Sequence, residues 1–453
     1  MTSLWQDTYE LRIIARSSVQ ENISVDVAII GAGLSGLWTA YYLKNLQPSL
    51  RIAIFEANRV GFGASGRNGG WCSGFLPSSL SELSQQHSRS AAIDMYRQGF
   101  ATIDEIQQVL TREQVDCDLH RGGTVHGATN DVQIARVKAE VAELQSFGFK
   151  ECDMQLLSAS EASRHLNISG LRLASFTPHC AVIHPAKLVN GLATVVEKHG
   201  VKIFENSPVS AYKPKQISVG DYQCRADVIV RATEGYTARI KGHRRDLAPL
   251  YSYMVATEPL SQSQLATINW SNRETYHDAR NMIIYSQLTK DNRIAFGGRG
   301  APYHFASRVK SQYDNHSAIH DKIIRSMHQI FPITKDVVIT HKWGGPLGVP
   351  RNWQPSVNYD ERTGLASLGG YVGDGVAASN LAGRTLAHCI NRDGHDLTKL
   401  AWVNNISKNW ELEPLRYIGI NGLLKISESI DRHEKKTNKP DRIRSKILET
   451  FLG

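Results

Sequence analysis

The sequence predicts an α/β protein of two interleaved parts, one wound around buried parallel strands and the other α+β with strands of alternating pattern. Three observations carry that prediction. First, Val25-Asp-Val-Ala-Ile-Ile-Gly31-Ala-Gly33-Leu-Ser-Gly36 runs from a β-branched apolar stretch through GxGxxG into a helical pattern, and Arg51-Ile-Ala-Ile-Phe-Glu56 returns as a second apolar run that stops at a carboxylate. Second, buried-strand patterns recur far downstream, at 226–233 and 365–370. Third, 251–257, 281–286 and 293–300 alternate apolar and polar residues. At 453 residues the chain is too long for one compact core. The expected division is 24–80, 182–250 and 345–400 for the first part, 81–181 and 251–344 for the second, and an appendage with a basic tail at 401–453.

The N-terminal arm with Leu4 and Trp5 is expected to pack on the surface. In the βαβ unit Gly31 makes the tight turn, Gly33 lets backbone approach a pyrophosphate, and Gly36 lets helix and sheet pack closely. The helix N-terminus at Leu34 and Ser35 then faces the phosphates, and Glu56, followed by Ala57, accepts hydrogen bonds from a ribose without a 2'-phosphate. Leu34, Leu37, Trp38, Tyr41 and Leu46 recur at helical spacing and are read as packing. The stretch 60–74 holds six glycines in fifteen residues without apolar periodicity, which marks a loop lying close to something flat or phosphorylated.

Composition excludes several classes. The chain is 41% apolar and 21% charged, and no apolar run approaches bilayer length. The first twenty-four residues lack an apolar signal core, so the expected compartment is the cytoplasm. Six scattered cysteines form no CxxC pair, which argues for reduced thiols and no metal site. The net charge of +9 gathers at 241–245 and 432–446, more as a solvated face than as a nucleic-acid surface.

The βαβ unit with Glu56, followed by Gly63-Ala-Ser-Gly-Arg-Asn-Gly-Gly70, resembles the D-amino-acid oxidase superfamily of FAD proteins, and most the gamma-glutamylputrescine oxidase-like branch. The resemblance implies a Rossmann-type FAD-binding domain and a substrate domain on an antiparallel sheet. It lays Gly63, Ala64, Ser65, Arg67, Asn68, Gly69 and Gly70 along the pyrophosphate and isoalloxazine, and sets the backbone of Val209 beside the adenine. Ala232 and Thr233 match the second FAD signature, where Glu234 replaces a small or amide residue and is expected to point away from the phosphates. Gly370, Tyr371, Gly373, Asp374, Gly375 and Val376 match the C-terminal signature, a strand and glycine turn leading to a helix N-terminus at the flavin pyrimidine edge. Asp374 stands where relatives often carry histidine, and is expected to cap that helix.

The second part is read from 81 to 149 as helical, with a short strand pair around Gly122-Gly123. His120 and His126 are read as surface or core residues. The family sheet roofs the substrate, which makes Trp71, Tyr253, Tyr285, Arg299, Trp343 and Tyr371 candidates for the pocket wall. No cysteine lies between Trp343 and Asp374, where sarcosine oxidases supply one, so the FAD is expected to be non-covalent. The implied reaction oxidises a C–N bond of an amine or amino-acid-type substrate by hydride transfer to flavin N5, with imine hydrolysis and reoxidation by oxygen or another acceptor. Glycine-oxidase-like relatives clamp a carboxylate with an arginine where this chain has Gly373, which favours an amine, or an anion remote enough to reach Arg299 or Lys342. Two alternatives stay open: a flavoprotein acting on a modified tRNA base, and a non-catalytic flavin-binding protein. After Ala401 the amphipathic pattern of Trp402, Trp410, Leu415, Ile418 and Leu423 suits packing, oligomerisation or a membrane surface.

Overall fold

The computed structural model describes residues 2–10, 15–270, 272–298, 300 and 302–452. Helix α1 (Leu4–Asp7) opens the chain, held by a Ser3–Gln6 capping box. Then β1 (Ile23–Ile30), α2 (Leu34–Leu46) and β2 (Ile52–Phe55) form a parallel βαβ unit. Both faces of these strands are buried, Val27, Ile29, Ile52 and Ile54 in a cluster with Leu37 and Trp38 of α2, and Ala28, Ile30, Ala53 and Phe55 against Val19, Ile217 and Ile229. After the glycine-rich loop come β3 (Trp71–Ser73), α3 (Leu80–Gln86), α4 (Arg89–Arg112), β4 (Thr124–Ala128), α5 (Asp131–Ser146), β5 (Gln155–Ser158), α6 (Ala159–Ala162), β6 (Leu173–Thr177) and β7 (Cys180–Val182).

The chain re-enters the first layer through α7 (Pro185–Lys198), β8 (Lys202–Phe204), β9 (Val209–Lys213), β10 (Gln216–Val219) and β11 (Tyr222–Arg231). It leaves again for β12 (Ala248–Thr257), α8 (Gln262–Ile268), β13 (Thr275–Asp278), β14 (Ile284–Leu288), β15 (Ile294–Gly298), α9 (Ser317–Ile330) and β16 (Ile339–Val349). It returns finally through β17 (Ser356–Asp360), β18 (Leu365–Gly369) and α10 (Gly375–Asn391), before α11 (Leu415–Thr437) and α12 (Arg442–Leu452).

Two eight-stranded sheets result among the described residues. The first has the order β17-β18-β11-β1-β2-β8, with β9 and β10 joined as a hairpin to β11. The second has the order β16-β12-β15-β14-β13-β4-β6-β5. It is antiparallel except between β13 and β4, which run parallel, a mixed sheet where an antiparallel one was expected. Helix α10 packs on α2 at Gly383, where a Cβ would lie 2.8 Å from Trp38 Cβ. β12 and β16 pair from Ala248 with Val349 to Thr257 with Ile339, so the second sheet takes in a few residues from the segments expected for the first part. The arm is not a surface decoration: Leu4 and Trp5 are buried against Ala186, Met254 and Trp343. In the appendage Trp402 and Trp410 are buried, whereas Leu415 and Ile418 are exposed. No helix of the described residues is long and apolar enough to cross a membrane.

Candidate active site

The βαβ glycines meet steric demands that a side chain would violate. Gly31 has φ +107°, and a Cβ there would lie 2.5 Å from Ala232 O. A Cβ on Gly36 would lie 2.1 Å from Gly31 O, so the helix reaches the sheet only with glycine. The Leu34 N–H donates to Ser65 Oγ (2.9 Å), which ties the N-terminus of α2 to the glycine-rich loop. Glu56 ends β2 with its carboxylate accepting N–H bonds from Ala32 (3.0 Å) and Asn58 (2.9 Å). Burial raises its pKa, and those backbone donors oppose the shift.

The loop is fixed from several directions. Asn68 spends its side chain within its own turn: Nδ2 donates to Ala64 O and Ser65 O (both 3.1 Å), and Oδ1 accepts from Gly70 N–H (2.7 Å). Arg67 pairs with Asp314 at 2.6 Å and covers the Phe62 ring, with its guanidinium carbon 4.7 Å from the centroid. Both residues thus brace the loop while lining the cavity, and Arg67 Nε is buried without a hydrogen-bond partner among the described residues. Two indoles take the carbonyls between them: Trp343 Nε1 donates to Arg67 O (2.8 Å) and Trp5 Nε1 to Asn68 O (2.7 Å). Gln287 Nε2 takes the next carbonyl, Gly69 O, at 2.5 Å. Gly69 lies against Tyr285, where a Cβ would come within 2.8 Å of the ring.

A cavity of about 390 Å³ opens between this loop and the second sheet. Near the loop it is walled by Trp71, Met254, Tyr285 and Trp343, and it reaches Gly373, Asp374 and Val376 at the start of α10. Beyond Trp71, whose ring meets that of His277 edge to face at 5.7 Å, the wall also carries His126, Glu140 and Glu143. His126 Nδ1 and Glu140 Oε2 lie 2.6 Å apart, and the two imidazoles stack at 4.0 Å. A second cavity of about 320 Å³ shares Arg67, Trp343 and Gly344, and is also lined by Asn58, Phe62 and Tyr236.

Of the expected pocket residues, Trp71, Tyr285 and Trp343 line the cavity. Tyr253 does not. The pleat of β12 turns Tyr251, Tyr253 and Val255 into the core against α9, with Tyr253 Oη donating to Tyr313 O (2.8 Å), and leaves Ser252 and Met254 on the cavity side. Tyr371 is also withdrawn, buried with its hydroxyl 2.8 Å from Ser35 Oγ. Arg299 lies outside the described residues. His126, read as surface or core, is in the wall, as are His277, Glu140 and Glu143, which carried no motif to single them out.

Asp374 occupies the N-cap of α10 but makes no capping hydrogen bond. Its φ of −98° and ψ of 40° depart from the extended geometry that lets a cap side chain turn back to the first turn. Glu234 is the residue that secures this region. Its carboxylate accepts N–H bonds from Gly348 (2.9 Å), Gly370 (2.8 Å) and Tyr371 (3.3 Å), joining the end of β16 to the turn before α10. Burial raises its pKa to about 7 despite the three donors. Ala232 is bonded to Ile30 O through its N–H (2.9 Å), Thr233 Oγ1 lies 2.9 Å from Thr237 Oγ1, and Val209 begins β9.

The residues present fit an FAD: a carboxylate ends β2 beside the GxGxxG turn, backbone crowds Gly31 and Gly36, and α10 starts at the cavity without a side-chain cap. The sequence pattern of the DAO family, described as FAD dependent oxidoreductase, matches residues 26–389. The chain belongs to this family of FAD-dependent oxidoreductases. It is 28% identical to a probable oxidoreductase OrdL of Haemophilus influenzae over 82% of this chain and 84% of that one. It is 26% identical to the gamma-glutamylputrescine oxidoreductase of Escherichia coli, over 83% and 86%. Among solved structures, the fold is shared with glycine oxidase from Geobacillus kaustophilus (TM-score 0.68, 20% identity, 85% of this chain and 100% of that one). L-proline dehydrogenase from P. horikoshii shares it too (TM-score 0.67, 16% identity, 83% and 96%).

Proposed function

We propose that this FAD-dependent oxidoreductase oxidises the C–N bond of an amine, with a cationic substrate preferred over an α-amino acid. The observation that carries the preference is the charge of the cavity wall. It bears Glu140, which pairs with His126, and Glu143; its described residues include no lysine, and the one arginine among them, Arg67, is already paired with Asp314. Such a wall attracts an ammonium group and, among its described residues, offers an α-carboxylate no lysine and no arginine free of a carboxylate partner. Gly373, at the position where glycine-oxidase-like relatives place an arginine, removes the usual carboxylate clamp. The name of the Escherichia coli relative points to the same class.

When bound, FAD supplies the two-electron acceptor for the hydride that leaves the carbon beside the nitrogen. The protein's residues do the rest. The carbonyls of Arg67, Asn68 and Gly69 are held by Trp343, Trp5 and Gln287, which fixes the loop along which we place the ring. Trp71, Met254 and Tyr285 exclude water and hold the substrate's reacting end against that loop. The resulting imine takes up water to give a carbonyl compound and the released amine, and oxygen or another acceptor receives the electrons. The test is an anaerobic titration of the purified holoprotein with putrescine, gamma-glutamylputrescine, spermidine and a panel of α-amino acids, followed at the flavin absorbance. Bleaching by the amines is expected, and bleaching by α-amino acids alone overturns the preference.

A further inference from the structure

Helix α11 follows the family-matched segment, which ends at residue 389, yet it is bonded directly to two pieces of the substrate cavity. Asp431, Glu434 and Asn438 are spaced by three and four residues, so they fall on one face. Asp431 Oδ1 accepts from Asn281 N–H (2.8 Å) and Asn281 Nδ2 (2.7 Å), while Oδ2 accepts from Met282 N–H (2.8 Å). Both backbone donors lie in the loop between β13 and β14. That loop connects His277 to Ile283 and Tyr285, all three of which line the cavity.

One turn on, Glu434 is 2% exposed and receives the guanidinium of Arg136 in a two-pronged pair, at 2.6 and 2.9 Å. Arg136 also donates to Ala279 O (3.0 Å) in the same loop. Asn438, in the left-handed conformation at the end of α11, accepts the N–H of Asp131, the first residue of α5 (2.8 Å). Arg136, Glu140 and Glu143 share α5, so the helix that supplies the acidic residues of the cavity wall is held by the same ladder that holds the loop.

We propose that α11 is a strap for the substrate cavity, in which Asp431 and Glu434 are positioning residues that set the loop 279–283 and α5 against each other and so fix the width of the cavity between them. A bonded pair of N–H groups and a buried two-pronged ion pair hold this loop, whereas the exposed Lys322–Glu428 pair farther up α11 touches only α9. The inference does not depend on which amine the enzyme takes.

The test compares the holoprotein with Asp431→Asn, with the double variant Asp431→Asn/Glu434→Gln, and with Lys322→Ala, which removes the α9 partner of Glu428 on α11, as a control. Two readouts need no substrate: hydrogen exchange at the backbone amides of 279–283, and quenching of the bound flavin's fluorescence by iodide. Losing one charge-assisted bond is expected to raise exchange in that loop about tenfold in the single variant, more in the double, with amides of the first sheet unchanged. Iodide quenching is expected to increase in both variants and stay at the wild-type level in Lys322→Ala. Unchanged exchange at 279–283 overturns the proposal, as does an equal rise throughout the protein or an equal response to Lys322→Ala. The single variant keeps the test decisive where the double does not fold. Because neither readout uses a substrate, failure of the strap is distinguishable from failure of the amine reading.

Discussion

Glu234 carries a carboxylate into the interior with backbone N–H groups as its hydrogen-bond partners, and this makes the protein's stability depend on one proton. Its pKa is about 7 in the folded apoprotein, above that of an ordinary glutamate, because burial outweighs the three donors. The folded state therefore binds the proton more tightly than the unfolded chain. The stabilisation is full below the unfolded value, declines as pH rises through about 7, and spans about 3 kcal/mol. Glu234→Gln, which cannot titrate, is expected to lack this decline, so the difference in Tm between wild type and variant should shift against the wild type from pH 5 to pH 8. Thermal unfolding of the apoproteins checks it, and a constant difference contradicts the assignment. At this scale the sequence was legible where chemistry is local. Gly31, Gly36 and Glu56 stand where their spacing put them, since a positive φ or a close backbone approach leaves little choice of residue. Facing direction was not legible. Alternation along β12 gives two faces without saying which meets the cavity, and the aromatic face with Tyr253 went to the core while Ser252 and Met254 did not. The Asp374 cap failed for a related reason, because capping depends on a ψ angle set by the turn behind it.

Elements distant in sequence hold the loop along which we place the ring. Helix α1 is one turn long, yet its Trp5 is 2% exposed and satisfies the Asn68 carbonyl, while Trp343 from β16 satisfies its neighbour. The two rings meet edge to face, 6.4 Å between centroids. Trp5→Phe keeps most of the apolar contact and removes the donor, leaving a buried carbonyl unpaired at a cost of about 1–3 kcal/mol. Weaker FAD binding by about tenfold or more is expected when the apoprotein is titrated with FAD, since each 1.4 kcal/mol is one decade. Unaltered affinity would show that the arm does not set the loop. Nothing in Leu4-Trp5 announced this role: a short apolar motif ahead of the first strand reads as surface packing until its partner, some sixty residues later, is known. The parallel pairing of β13 with β4 was hidden for the same reason, because alternation is blind to strand direction.

In the whole molecule the cavity is lined by strands of the second sheet, by the glycine-rich loop that follows β2 and by the turn into α10 that follows β18. A ligand spanning such a cleft binds only the folded arrangement, so FAD at 100 times its Kd is expected to raise stability by about 2.7 kcal/mol. Thermal unfolding with and without added FAD measures this, and an unmoved Tm would show that the cleft does not close on the cofactor. The two-part architecture was legible because the first sheet's strands are apolar on both faces and the second sheet's alternate. The acidic part of the wall was not, because Glu140 and Glu143 look like any exposed helix face until α5 is placed.

The strand order of the first sheet also fixes a timetable. β1 lies between β2 and β11, and β11 lies beside β18, so the central strand waits for residue 231 and its neighbour for residue 369. While the ribosome is still making the second sheet, the GxGxxG turn has no completed cradle, and Trp343 has not yet arrived to hold the loop. The cradle is therefore complete only once β18 and α10 have been made, about 350 residues after the turn that begins it.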